Sequence, residues 1–214
     1  MIKELKQFKT SYYLLSKLDP DIVKKLKEYC WEIKNHPLKK SHNDKLAGNL
    51  KEEYTLPTFV EEFLHPHISE LATEISDNSR DEFSKQVAIW KHQSLWVNFQ
   101  QKYEFNPLHN HSGMYSYVLW LNIPYDLEKE MNLDFVKNSN TPSATAFSLV
   151  YTDASGLIVH EDFLPEKEDE GTILMFASRM SHLVYPFYTS DDYRISISGN
   201  IIPEQLKDSR KRVI

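Results

Sequence analysis

The chain has 214 residues, 41% hydrophobic and 26% charged, a globular composition that excludes wholesale disorder. Lys and Arg total 25 against 31 Asp and Glu, a net charge of −6 that disfavours a general nucleic-acid binder. Five Gly, with no GxGxxG or GxxxxGK[ST] string, weaken any phosphate-loop reading, and one Cys beside nine His excludes an intrachain disulfide and leaves imidazoles and carboxylates to hold any metal.

No apolar run approaches the roughly 18 residues of a membrane span, and the opening MIKELKQFKTSYYLL lacks an apolar core and a small-residue cleavage site. With one Cys, the expected compartment is the cytoplasm. Helical signals fill residues 1–85. Asp19-Pro20-Asp21 opens a helix in which Ile22, Leu26, Cys30 and Ile33 recur at helical spacing, ending before Pro37. A polar stretch, 39–55, follows. A second helix starts near Pro57-Thr58 with Phe59, Phe63, Ile68, Leu71 and Ile75 as its apolar side, and Pro66 is expected to kink or restart it.

From residue 86 the pattern changes to period 2. Strands are expected at 86–89, 95–101, 105–111, 115–123, 144–151, 157–163, 172–177, 182–187 and 193–202, with a polar, partly helical excursion at 126–142 that could be a lid or a plain surface insertion. No repeat or linker is evident. The expected fold is mainly β, one domain: a helical part, 1–85, packed on a jelly-roll or cupin-like barrel, 86–203, with a basic tail, 204–214, read as a solvated terminus.

The densest chemistry is Asn106-Pro107-Leu108-His109-Asn110-His111-Ser112-Gly113. On a strand, His109 and His111 would share a face, and an HxH pair inside a barrel can begin a mononuclear iron, zinc, copper or nickel site. Two surface histidines near a turn would give the same string. His182, opening a later strand, supplies a third imidazole. Arg194 and Ser196 share a face of the last strand, where a guanidinium is costly unless a carboxylate meets it, and its fork suits a bidentate carboxylate. Metal ligands at one end and this Arg–Ser clamp at the other describe a site for a metal-chelating keto-diacid. Asn98 and Gln100 either face inward and help bind its oxygens or alternate outward against Trp96, Val97 and Phe99. Tyr115 and Tyr117 either reach a carboxylate or are ordinary strand aromatics. His36, His42, His65, His67 and His92 show no partner pattern, and Cys30 is read as core.

The arrangement HxH…H…RxS on this string of strands resembles the 2-oxoglutarate- and iron(II)-dependent oxygenases. More narrowly it resembles a branch with members in marine bacteria and phages, whose metal motif continues as Ser112-Gly113-Met114-Tyr115-Ser116-Tyr117 and whose later part reads Gly171 to Ser178, then His182, Pro186 and Arg194 to Asn200. The resemblance covers roughly residues 86–203. It implies a double-stranded β-helix flanked by helices, Fe(II) as cofactor, 2-oxoglutarate as cosubstrate, and oxidative decarboxylation to succinate and carbon dioxide coupled to hydroxylation. It implies metal ligation by His109, His182 and His111, and cosubstrate binding by Arg194, Ser196, Asn98, Gln100 and Tyr117.

The wider superfamily uses HxD or HxE. Here His111 stands at the carboxylate position. It ligates as a third imidazole, or stands behind the ligands, or a carboxylate such as Glu161 or Asp162 beside His160 replaces it. A three-His cupin-type dioxygenase that needs no 2-oxoglutarate, and a catalytically silent β-barrel binding module, remain alternatives. The primary substrate is a small molecule or a protein or peptide, with no membrane partner, nucleic acid disfavoured, and a homodimer open.

Overall fold

A computed structural model describes residues 12–206. The basic cluster at 207–212 lies outside them. The fold is mainly β: two antiparallel sheets that pack face to face, with helices on the outer face of the larger one.

The chain enters through β1 (Tyr13–Lys17), forms α1 (Pro20–Asn35), a short β2 (Glu53–Thr55) and α2 (Thr58–Asn78), then runs along β3 (Val87–Gln100), β4 (Asn106–His109) and β5 (Tyr115–Asn122). Two short helices, α3 (Leu127–Met131) and α4 (Asp134–Lys137), precede β6 (Phe147–Thr152), β7 (Ile158–Phe163), β8 (Thr172–Ala177), β9 (Ser181–Val184) and β10 (Arg194–Leu206). The six-stranded sheet has the order β1-β8-β5-β10-β3-β2, and the four-stranded sheet β4-β9-β6-β7.

Helix α1 forms as its sequence dictates. The Asp19 carboxylate accepts from the Asp21 N–H at 2.9 Å, Pro20 occupies the first turn, and Val23, Leu26, Cys30 and Ile33 make the buried stripe. The stripe runs through Val23 rather than the expected Ile22. Helix α2 continues through Pro66 as one 21-residue element, so the expected restart does not occur. Its buried stripe is Val60, Leu64, Ile68, Leu71, Ala72 and Ile75, one residue on from the expected Phe59 and Phe63 in its first turns. These stripes pack with Tyr115, Tyr117, Leu119 and Leu121 of β5 and Val97, Phe99, Ile195 and Ile197 of the neighbouring strands in one apolar cluster.

β5 is buried on both faces, which explains its unbroken aromatic and aliphatic run. Tyr117 and Leu119 turn to the helices, whereas Val118 and Trp120 turn to the second sheet, where they cluster with its Phe147 and Leu149 and with Leu174 and Phe176 of the adjacent β8.

Several expectations are corrected. The N-terminal part is not purely helical, because β1 pairs with β8 and β2 with β3. The strands expected at 86–89 and 95–101 are one strand. The polar residues between them stay in the ladder because they find partners: His92 Nε2 lies 2.9 Å from Tyr117 Oη, and Ser94 Oγ accepts from Asn200 Nδ2 at 2.8 Å. β9 stops at Val184, two residues before Pro186, which has no N–H to offer a ladder. The 126–142 excursion is tied down by Glu130, fully buried, whose carboxylate accepts from the N–H groups of Tyr188 and Thr189 and from Thr189 Oγ1. No helix among the described residues is long and apolar enough to cross a membrane.

Candidate metal and anion site

Between the sheets lies a cavity of about 50 Å³, lined by Trp96, Asn98 and Gln100 of β3, His109 of β4, His111, His182 of β9, and Arg194, Ser196 and Ser198 of β10, among others. The two sheets therefore bring both expected halves of the site to one cavity.

At one end, each of His109, His111 and His182 presents a ring nitrogen, and these atoms all lie within 4.8 Å of one another. His109 and His182 are direct partners across the β4–β9 pair. His111 lies beyond the end of β4, so strand periodicity is not what aligns it. Its N–H donates to Ser178 O at 2.9 Å, and Gly113 then turns the chain with φ 113°. A Cβ at Gly113 would sit 3.1 Å from Ser178 Oγ and 3.2 Å from Ile201 O, so the turn after HxH demands glycine.

Tautomers are fixed for two of the three rings. His109 Nδ1 lies 2.7 Å from Pro107 O and His182 Nδ1 lies 3.1 Å from Met180 O. A carbonyl only accepts, so each Nδ1 carries the proton and each Nε2 keeps its lone pair for a metal. Burial, with the neighbouring imidazoles adding to it, pushes His182 down to about 3 and His111 to about 4, and burial also lowers His109. All three are neutral at pH 7, the protonation state a metal requires. Phe147 stacks on His182 at 5.5 Å and 17° and holds its ring plane, while Trp96 meets His111 edge-on at 5.6 Å. The donor set fits a divalent transition metal.

No carboxylate belongs to this group among the described residues. Glu161 and Asp162 are elsewhere: Tyr13 Oη reaches Glu161 at 3.5 Å, and Asp162 accepts from Ser148 Oγ at 2.5 Å and lies 3.0 Å from His160 Nδ1.

Arg194 stands at the other end, 3% exposed. No protein carboxylate among the described residues meets it. Its five N–H groups instead meet Gln100 Oε1, Tyr125 Oη and the carbonyls of Thr145 and Tyr185, all neutral. A buried positive charge held only by neutral acceptors is an anion site. Asn98 does face inward, but its amide is committed: Nδ2 donates to Ser196 Oγ and Ser198 Oγ, both at 3.1 Å, and Oδ1 accepts from Trp96 Nε1 at 3.0 Å. It braces the serines and the indole.

Tyr117 does not line the cavity. It points to the helix layer, where its hydroxyl meets His92, because its position in β5 alternates with the inward Val118. Glu53 escaped the sequence reading. It is fully buried opposite Asn98, and burial, then the nearby Glu104 carboxylate, push it up to about 7. Its Oε1 has no hydrogen-bond partner among the described residues, while Oε2 accepts from Asn43 at 3.3 Å. One Glu of the Glu52-Glu53 pair in a polar stretch gave no signal, since β2 was itself unseen.

Residues 94–200 match the family model described as "Putative 2OG-Fe(II) oxygenase". Among solved structures, a Pseudomonas putida prolyl-4-hydroxylase is similar at 15% identity and TM-score 0.59, over 92% of this chain and 95% of that one. A Trichoplax adhaerens prolyl hydroxylase, solved with a hypoxia inducible factor peptide, is similar at 11% identity and TM-score 0.58, over 91% and 85%. A 2OG-Fe(II) oxygenase family oxidoreductase from Burkholderia pseudomallei is similar at 13% identity and TM-score 0.54, over 91% and 86%. No curated protein matches the chain.

Proposed function

The chain belongs to the 2OG-Fe(II) oxygenases, with Fe(II) as cofactor and 2-oxoglutarate as cosubstrate, and from that premise we propose how its own residues divide the work. His109, His182 and His111 hold the iron. Arg194 and Ser196 receive the distal carboxylate of 2-oxoglutarate, and Asn98 braces Ser196. The two sheets are read as the jelly-roll form of the double-stranded β-helix, and residues 12–206 as one working unit. A hydroxylation is the proposed outcome, on a small-molecule or peptide substrate. The lone, buried Cys30 accords with a cytoplasmic setting.

The observation that carries this reading is the pairing in one cavity of two tautomer-fixed imidazoles with a third beside them, and a buried guanidinium that no carboxylate of the described residues neutralises. A three-His dioxygenase without 2-oxoglutarate has no use for that deep cation, and a silent binding module has no use for the fixed tautomers.

The iron–cosubstrate pair supplies the oxidising power when bound. The protein's contribution is geometric and electrostatic. Pro107 O and Met180 O orient the rings before any metal arrives, so little reorganisation is needed on binding. Three neutral imidazoles leave the ion's full 2+ charge uncompensated by protein, whereas a carboxylate would cancel one unit. A dianionic cosubstrate would supply the missing neutralising charge when bound, and Arg194 would attract its far end. Phe147, Trp96, Trp120 and Val118 line the walls with apolar surface, which limits water.

The test is Fe(II)-dependent conversion of 2-oxoglutarate to succinate by the purified protein. Turnover that disappears in His182→Ala and Arg194→Ala is expected. Turnover unchanged in Arg194→Ala would mean that the clamp is misassigned.

A further inference from the structure

Each of the five N–H groups of Arg194 has an acceptor, and one acceptor is unlike the rest. Nε and Nη2 converge on a single atom, Gln100 Oε1, at 3.0 and 2.7 Å. Nη2 also reaches Tyr185 O at 2.9 Å, and Nη1 reaches Thr145 O at 2.7 Å and Tyr125 Oη at 3.2 Å. The Nε–Nη2 edge is one that a carboxylate grips with two oxygens, in two parallel charge-assisted bonds. Here a neutral carboxamide oxygen sits in that fork.

The other acceptors are fixed by the chain. Thr145 and Tyr185 offer backbone carbonyls, and their own N–H groups are bonded to Pro186 O at 2.9 Å and Ala146 O at 2.8 Å. The Tyr125 hydroxyl donates to Pro165 O at 3.1 Å on a buried ring. Gln100 alone meets the guanidinium with a freely rotatable chain. It ends β3, lines the cavity, and is tied at its far side by one bond, Nε2 to Glu104 O at 2.6 Å. The cavity's 50 Å³ suits a few water molecules rather than a five-carbon diacid, so something on its wall must move.

We propose that Gln100 is an intramolecular competitor for the cosubstrate: its carboxamide fills the Arg194 fork in the free protein and must swing out before a carboxylate can enter. This rests on the reading of Arg194 as the cosubstrate anchor. Gln100 is then a specificity-determining residue. A carboxylate displaces it because ionic hydrogen bonds are roughly twice as strong as neutral ones. Neutral or weakly accepting groups do not, so the internal amide screens what may occupy the pocket.

The test is an anaerobic titration of the Fe(II)-loaded protein with 2-oxoglutarate, followed by its visible charge-transfer band. It is paired with the melting-temperature shift of metal-free protein in glutarate, a diacid that lacks the chelating 2-oxo group. Gln100→Ala should bind both diacids about threefold or more tightly than wild type. Gln100→Asn, whose amide is one methylene too short for the fork, should tighten too and serves if the alanine variant fails to fold. Gln100→Glu places a carboxylate in the fork and should weaken both diacids by more than about tenfold while iron binding is kept. If wild type binds 2-oxoglutarate and the shortened variants bind it equally or more weakly, the inference falls and the oxygenase site assignment stands. If neither wild type nor the shortened variants bind it, both fall.

Discussion

His109 Nδ1 and the carbonyl oxygen of Pro107 are 2.7 Å apart, two residues along the same chain. That contact decides which nitrogen of His109 is free. His182 repeats it with Met180 O at 3.1 Å, again two residues back. Both of these rings are thus oriented by a carbonyl two residues back in the chain, and the sheet pairing that sets His109 opposite His182 does the rest.

His109→Ala and His182→Ala are each expected to lower Fe(II) affinity by more than about 100-fold, beyond what loss of an orienting partner alone would cost. His111→Ala should do the same if all three imidazoles ligate. His111→Asp, which installs the carboxylate that the wider superfamily uses, should keep iron. Equilibrium dialysis with metal analysis reads all four. Full iron retention by His111→Ala would remove His111 from the ligand set.

Glu53 makes stability depend on pH in an unusual direction. A carboxyl raised from 4.5 to about 7 binds more protons folded than unfolded between those values. Stability from this group is therefore fully present below about 4.5 and is lost as pH rises through about 7. His92, pushed down to about 4 chiefly by burial, acts oppositely: its contribution is present above 6.5 and is lost as pH falls toward 4. Wild type therefore blends slopes of opposite sign, with His111 and His182 adding to that of His92, and the variant comparison isolates the Glu53 part. Glu53→Gln should be more stable than wild type at pH 8, on the order of 2 kcal/mol, and the gain should vanish by pH 4.5. Urea unfolding at the two pH values checks it. An equal difference at both would show that Glu53 ionises normally.

Tyr117 and Gly199 form a close pair on the outer face of the large sheet. A Cβ at Gly199 would lie 2.7 Å from Tyr117 Oη, so Gly199→Ala must push a fully packed ring and is expected to cost about 1–3 kcal/mol. Tyr117→Phe removes only the bond to His92 and should cost about 1 kcal/mol. Because Tyr117 faces the helices, 2-oxoglutarate affinity should not change in Tyr117→Phe. A tenfold loss there would return Tyr117 to the site.

Much of this arrangement was legible in the sequence. Thr172–Ala177 was bounded by a glycine and a polar turn, and its strand ends where they predict. His109, His182, Arg194 and Ser196 fell into place because each sits on a strand that pairs in register with a neighbour. Other features needed tertiary structure. β2 is three residues in a polar stretch and exists because it caps the edge of β3. Tyr117 could not be assigned a face, since both faces of β5 are covered and its pattern carries no alternation. Three of the four partners of Arg194 were invisible, because two are backbone carbonyls and Tyr125 lies in a loop far along the chain, whereas Gln100 was named, though as a partner of the cosubstrate.

The most direct test of the central claim, that three imidazoles and Arg194 form one iron and 2-oxoglutarate site, is an anaerobic titration of wild type and Arg194→Ala with Fe(II) and then 2-oxoglutarate. The account predicts a visible charge-transfer band in wild type that saturates with cosubstrate, and in Arg194→Ala unchanged iron binding with at least about a tenfold weaker approach to the band. Iron binding without a band in wild type, or equal loss of iron and cosubstrate in the variant, would contradict it.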